Sequence, residues 1–295
     1  MKAQRGIALI QVLLISGIIG LLMMQLGLTA REQVARAKRL DDRATLEFVA
    51  QSRESALLYT LFTEPWVQRP EGDNPYAAAW NFMGLPFDVD GVTFTLQDES
   101  GRLRVPTYGA AEFSRSLAAL GVEAGRAQRL GAQLLQVQGV SARLADLGEQ
   151  AEDSRYRDGR VYPLQDLVEL KLMPDMDEEL YQRLIPFLTL YPTPGFNPMT
   201  APPELLRTRL SDSQLQGFTD ARDAGQLDQL RLMKTTGMQP DEMTVLAPGP
   251  ALEVHFVVER NGSRIERRTT FVIRPYQSAP LGLWQRSGSG REDGA

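Results

Sequence analysis

Cysteine is absent from this chain of 295 residues, and histidine occurs once, as His255. The first absence excludes disulfides and thiolate metal sites and is compatible with an oxidising compartment. A basic excess is also missing. The formal net charge is −5, so no surplus of cations exists to release counterions from phosphates, and nucleic acid is excluded as the main partner. Catalytic signatures are as scarce: there is no Gly-x-Ser-x-Gly, no phosphate-binding glycine loop and no His-Glu-x-x-His. His255 falls on the strand face of Glu253, Val257 and Glu259, opposite Phe256, where it reads as a solvated residue rather than a base. Adjacent acids such as Asp41-Asp42 and Glu152-Asp153 stand in polar segments, where carboxylates are solvated. None of this points to an enzyme.

What the chain does hold is apolar sequence. Hydrophobic residues make up 43%, enough to build the core of one large soluble domain or two ordinary ones. From Ile7 to Leu28 no residue is charged. A helix of that length rises roughly 33 Å, against a hydrocarbon core of about 30 Å, and reads as a membrane span. A cleaved secretory signal would be shorter and would end on small residues. Here Leu28-Thr-Ala-Arg31 leads into more helical sequence, and the small residue stands before the run, at Gly6, behind Lys2 and Arg5.

That leader, Arg5-Gly6 joined to Ile-Ala-Leu-Ile, resembles the type III signal of the pilin and pseudopilin superfamily. The resemblance implies a prepilin peptidase that cuts after Gly6 and N-methylates Ile7, leaving the span in place. The fifth residue after such a cut is Gln11, where most of the superfamily carries glutamate. A carboxylate within a span is costly unless paired, and in that superfamily it pairs with the terminal ammonium of a neighbouring subunit. Gln11 needs no such partner, and in this the chain resembles the K-type minor pseudopilin of type II secretion, the general secretion pathway protein K family. The leader implies a cytoplasmic N-terminus and a periplasmic C-terminal domain at the bacterial inner membrane. Counting Arg31, Arg36, Lys38, Arg39 and Arg43 against Lys2 and Arg5 gives the opposite orientation, by a rule that weakens before a long domain.

Residues 29–64 continue the helix, and Val34, Ala37, Leu40, Ala44, Phe48, Ser55, Leu58 and Phe62 recur at a helical spacing that predicts its packed face. Prolines from Pro65 to Pro75 end it. Val92 to Leu96 alternates like a half-buried strand. Next, Asp98, Gly101, Arg102 and Leu103 match a turn of the K-type family, with Arg104 and Pro106 where that family has asparagines. Residues 110–247 read as mostly helical. Asp175, Asp177, Glu178 and Glu179 complement the dipole of a helix they open, and Pro186 should end or bend it. Phe196, Asn197, Thr200, Ala201, Pro202, Leu205 and Leu206 form a second K-type match, with Met199 in place of an asparagine. Thr200 is expected to cap a helix opening on prolines, and Ser211 to Gln214 fits a capping box. Finally Leu252, Val254, Phe256 and Val258 alternate up to Asn261-Gly262, a hairpin signal that pairs Val258 with Ile265 and Leu252 with Phe271.

The expected fold is α+β: a long N-terminal helix, transmembrane then amphipathic, a pilin-like antiparallel sheet, and a large helical insertion domain. The boundaries are a leader 1–6, a span 7–28, its helical continuation 29–64, a pilin-like αβ domain 65–109 with 248–277, an insertion 110–247 and a disordered tail 278–295. The resemblance implies a subunit that caps or initiates the type II pseudopilus tip for export across the outer membrane, without catalysis. Its implied partners are I- and J-type minor pseudopilins, the prepilin peptidase and the inner-membrane secretion platform. The alternatives are a minor pilin of a type IV pilus and a signal-anchored periplasmic enzyme. Some K-type proteins bind calcium, and Asp146, Glu149, Glu152, Asp153 and Asp158 are the hard oxygen ligands on offer, though without the regular spacing of a calcium loop.

Overall fold

The computed structural model describes residues 4–67, 72–106, 110–139, 163–193, 195–207, 209–225, 229–237, 244–261 and 263–289. The first element, α1 (Gln4–Thr63), is a single helix of 60 residues. No proline interrupts it, so propagation carries it unbroken from the apolar segment into the amphipathic one. Its apolar window is long enough to cross a membrane, and none of that window is buried.

Beyond the span, α1 buries Leu46, Ala50, Leu57 and Leu61. This is not the stripe that the spacing favours: Val34, Leu40 and Phe48 are 69%, 69% and 76% exposed. The helix carries two apolar faces, since Leu46 and Phe48 lie about 200° apart around it. Periodicity finds both, and only packing decides which is covered.

The fold divides into two compact units, one of residues 1–55 with 257–266 and 289–295, the other of 56–256 with 267–288. In the first, Asn261 at the hairpin tip donates from Nδ2 to Asp42 Oδ1 of α1 at 3.0 Å. Asn261 itself takes a φ of 51°, the left-handed conformation that asparagine tolerates in a tight hairpin turn. Gly262 lies outside the described residues.

In the second unit, α2 (Pro75–Ala79) is capped by Asn74, whose Oδ1 accepts from the amides of Tyr76 and Ala77 at 3.0 and 3.4 Å. Then β1 (Met83–Val89) and β2 (Val92–Asp98) pair antiparallel across Asp90 and Gly91, whose φ values of 50° and 76° make a two-residue hairpin turn. The sequence does not announce β1, because Gly84 and Pro86 interrupt it. They are tolerated since β1 is an edge strand with an irregular register between Met83 and Pro86.

Further along the chain come β3 (Leu103–Arg104), α3 (Ala110–Ala119), α4 (Ala124–Val137), α5 (Glu178–Leu184), β4 (Leu188–Thr189), α6 (Pro203–Leu206), α7 (Asp212–Asp223) and α8 (Gln229–Thr236). Strands β3 and β4 pair parallel, Leu103 with Leu188 and Arg104 with Thr189. Helices α3, α4 and α5 enclose one apolar cluster built on Phe113, Leu117, Leu130, Leu134, Leu180 and Leu184. A second gathers Ala201, Leu206, Leu215, Phe218 and Leu232 around α7 and α8. α5 stops at Leu184 and tightens into a 3-10 turn over Ile185–Phe187, where Pro186 cannot continue the α-helix. The Gln214 side chain accepts from the Ser211 amide at 3.0 Å, as a capping box does.

The chain returns to the sheet through β5 (Ala251–Arg260), β6 (Ser263–Ile273) and β7 (Leu281–Ser289), giving the order β1-β2-β5-β6-β7. Leu252, Val254, Phe256 and Val258 are buried, in the alternation the sequence shows. The Ile273 amide donates to Pro250 O at 2.7 Å, which lies on the register that a two-residue turn imposes. The expectation of disorder from 278 onward is corrected for Leu281–Ser289, which form β7. Gly282 lies against Val272, and Trp284 packs edge-on against Tyr191 at 5.3 Å. A segment of Ser, Gly and charge has no strand signature of its own; β6 supplies the template.

Candidate functional site

Two stretches a hundred residues apart, the Asp98 turn and the Asn197 to Ala201 segment, meet at the end of β2. Asp98 is fully buried. Its Oδ1 accepts from the amides of Ser100 and Gly249 at 3.0 and 3.1 Å. Its Oδ2 accepts from Ser100 Oγ at 2.5 Å, Asn197 Nδ2 at 3.0 Å and Thr200 Oγ1 at 2.8 Å. Five donors converge on one carboxylate, which is how a buried charge is made tolerable.

The donors come from every segment that crosses this point. Asn197 also donates from Nδ2 to Ala247 O at 2.9 Å, and its amide to Ser100 O at 2.7 Å, while its Oδ1 accepts from the Met199 amide at 3.0 Å. Gln97 Nε2 donates to Thr200 O at 3.1 Å. The backbones approach so closely that a Cβ on Gly101 would lie 2.5 Å from Thr200 O. Thr200 is therefore not the helix cap its sequence suggests: the N-cap position of α6 is Pro202, which makes no side-chain cap bond, and the Thr200 hydroxyl is spent on Asp98. On its far side the same segment is held by Arg222 of α7, whose Nη1 donates to Ala201 O at 2.9 Å.

Beside this joint lies a buried ion cluster. Arg102 Nη1 contacts Glu99 Oε1 at 3.0 Å and Glu253 Oε2 at 3.1 Å, and Nη2 reaches Glu253 Oε1 at 2.7 Å. Two carboxylates thus share one guanidinium, with Arg268 at 3.9 Å from Glu253. They divide unequally. Burial pushes Glu99 above its ordinary carboxylate value despite the attraction of Arg102. For Glu253, burial is outweighed by the charge and hydrogen bonds of Arg102, which hold it low. Arg102 itself, although buried, is held firmly protonated by the two carboxylates.

Asp177 caps α5, accepting from the Leu180 amide at 2.8 Å, and pairs with Arg126 at 2.7 Å. Asp175 bonds Arg129 and Gln133 of α4 at 3.1 and 2.6 Å. These acids tie α4 to the start of α5, and their pKa values lie below the ordinary range, for Asp175 through Arg129 first and for Asp177 through the Leu180 amide first.

Gly6 and Ile7 lie in the helical backbone of α1, and Gln11 is exposed on its surface. The calcium candidates Asp146, Glu149, Glu152, Asp153 and Asp158 fall outside the described residues. Among the described residues no group of three or more His, Cys, Asp or Glu is arranged to hold a metal. Sequence reading missed Gln97, Ser100, Gly249 and Glu253 as members of the joint. The only signal for them was proximity to Asp98 and to the start of β5.

Residues 89–193 match the family profile described as type II secretion system (T2SS), protein K. Over 210 residues the chain is 32% identical to the type II secretion system protein K of Klebsiella pneumoniae, a match that covers 63% of this chain and 62% of that protein's length. Its fold is similar to that of a chain in the crystal structure of the GspK-GspI-GspJ complex from the enterotoxigenic Escherichia coli type 2 secretion system. That similarity has a TM-score of 0.53 at 16% identity and covers 86% of this chain and 99% of the other.

Proposed function

We propose that the chain is a member of the type II secretion system protein K family, on its profile match over residues 89–193 and its 32% identity over 210 residues, and that it is a minor pseudopilin that starts and caps the pseudopilus tip in protein export. The observation that carries this reading is how the insert is rooted. The chain leaves the sheet after β2 and returns to it at β5, at a joint where Asp98 accepts from Ser100, Asn197, Thr200 and Gly249. In this reading an insert rooted there is held in place, and its bulk blocks a further subunit from stacking above it.

In this reading the peptidase cuts after Gly6 and methylates Ile7, α1 remains anchored in the inner membrane, and the domain lies in the periplasm. Gln11 carries no charge, so the span packs beside its neighbours without a buried carboxylate contact. I- and J-type minor pseudopilins are the partners, and the action is mechanical rather than catalytic. The test is the intact mass of the full chain from membranes, with and without a pilin-type peptidase. The expected product begins at a methylated Ile7, and Gly6→Glu abolishes it. Retention of Met1 while the same peptidase cuts a control pilin would overturn the reading.

A further inference from the structure

We propose that the first three turns of α1 beyond the span form a basic collar that binds the headgroups of anionic phospholipids. Between Thr29 and Leu40 the chain places Arg31, Arg36, Lys38 and Arg39 against a single acid, Glu32. This is a local excess opposite in sign to the chain's net charge of −5. All four side chains are exposed, and none makes an ion pair among the described residues. Acids gather only above them, from Asp41 and Asp42 onward.

The helix geometry aims these charges at the membrane. At 1.5 Å per residue, Arg31 to Arg39 stand within roughly 16 Å of Leu28, where the uncharged run ends. Side chains of an α-helix lean toward its N-terminus, which here is the direction of the span. Arg31 and Arg36, roughly 5 and 12 Å beyond Leu28, then lower their cations toward the phosphate layer, which extends about 6 Å beyond the hydrocarbon. Lys38 and Arg39, roughly 15 and 16 Å out, act on that layer through the field, within about one Debye length of it. Charge complementarity identifies the occupant as an anionic headgroup, because a zwitterionic one offers no net attraction. The collar holds the helix at one depth whether or not other subunits are present. It does not rest on the pseudopilin reading: retention of Met1 would end that reading and leave this one standing.

The test uses the full chain in detergent micelles mixed with equal phosphatidylglycerol and phosphatidylcholine, with native mass spectrometry counting the retained lipids. Near an anionic surface each basic residue contributes a factor of about five that falls off within a Debye length, so the collar, with Arg31 and Arg36 nearest the headgroups, favours phosphatidylglycerol on the order of 10-fold. Replacing Arg31, Arg36, Lys38 and Arg39 by Gln should erase the preference. Arg36→Gln alone should cut it by up to about fivefold, and Arg115→Gln with Arg183→Gln should leave it intact. Raising ionic strength to 1 M, where the Debye length falls to about 3 Å, should release the lipid. Equal retention of the two lipids, or an unchanged preference in the fourfold variant, overturns the proposal. So does displacement by inorganic phosphate but not by chloride at matched ionic strength, which would mark a simple anion site.

Discussion

Asp98→Asn changes one atom of the joint and no volume, so its cost isolates the hydrogen-bond logic. If the new amide nitrogen takes the place of Oδ1, it faces the backbone N–H groups of Ser100 and Gly249, which cannot reverse. If it takes the place of Oδ2, the hydroxyls of Ser100 and Thr200 can rotate to accept. Asn197 Nδ2 cannot, because Asn197 Oδ1 is committed to the Met199 amide. Either orientation sets donor against donor, at about 1–3 kcal/mol for a buried unsatisfied group. The surviving bonds also fall from charge-assisted to neutral strength, a loss of about 1 kcal/mol each. Relief of the desolvation of the charge offsets part of this. A net loss of about 3 kcal/mol is expected, a large share of a stability of about 5–15 kcal/mol. Urea unfolding of the full chain in detergent reads it through Trp66, Trp80 and Trp284, all in the same compact unit as Asp98, as a midpoint shift of roughly 1 M. Asp90→Asn, in an exposed turn, makes the same charge change and serves as control. A shift for Asp98→Asn no larger than that of the control would refute the reasoning.

Gly101→Ala should also weaken the joint, because a Cβ 2.5 Å from Thr200 O forces two backbones apart. A loss of about 1–3 kcal/mol is expected in the same unfolding assay, and a neutral result would mean the turn has room to shift. The ion cluster predicts opposite pH slopes. Glu99, raised by burial, binds its proton more tightly folded than unfolded, so its contribution falls as pH rises from the unfolded 4.5 through the raised value. Glu253, held low by Arg102, contributes above the unfolded 4.5, and that contribution is lost as pH falls through its folded value. Glu99→Gln should therefore remove a slope above pH 4.5 and Glu253→Gln one below it, with Glu253→Gln the more destabilising at pH 7. Stability measured by urea titration across this range checks both.

Much of this protein is legible in its residues because the relevant physics is local. An uncharged run long enough to cross a bilayer, a helix without prolines, alternation along β5, the Ser211 capping box and the Asn261 turn each depend on neighbours a few residues apart. The motifs at Asp98 and Asn197 could be read as a resemblance to a known family, but their meeting could not be derived, since nothing in either segment refers to the other. Tertiary structure alone decided three matters. It covered the Leu46, Ala50 and Leu57 face of α1 and left Phe48 exposed, because a helix with two apolar faces leaves that choice to what packs on it. It made a strand of the polar tail at β7, because an open sheet edge supplies the backbone partners that composition cannot reveal. And it turned Thr200 from a cap into a donor to Asp98, because a buried carboxylate draws in the donors that reach it from distant parts of the chain.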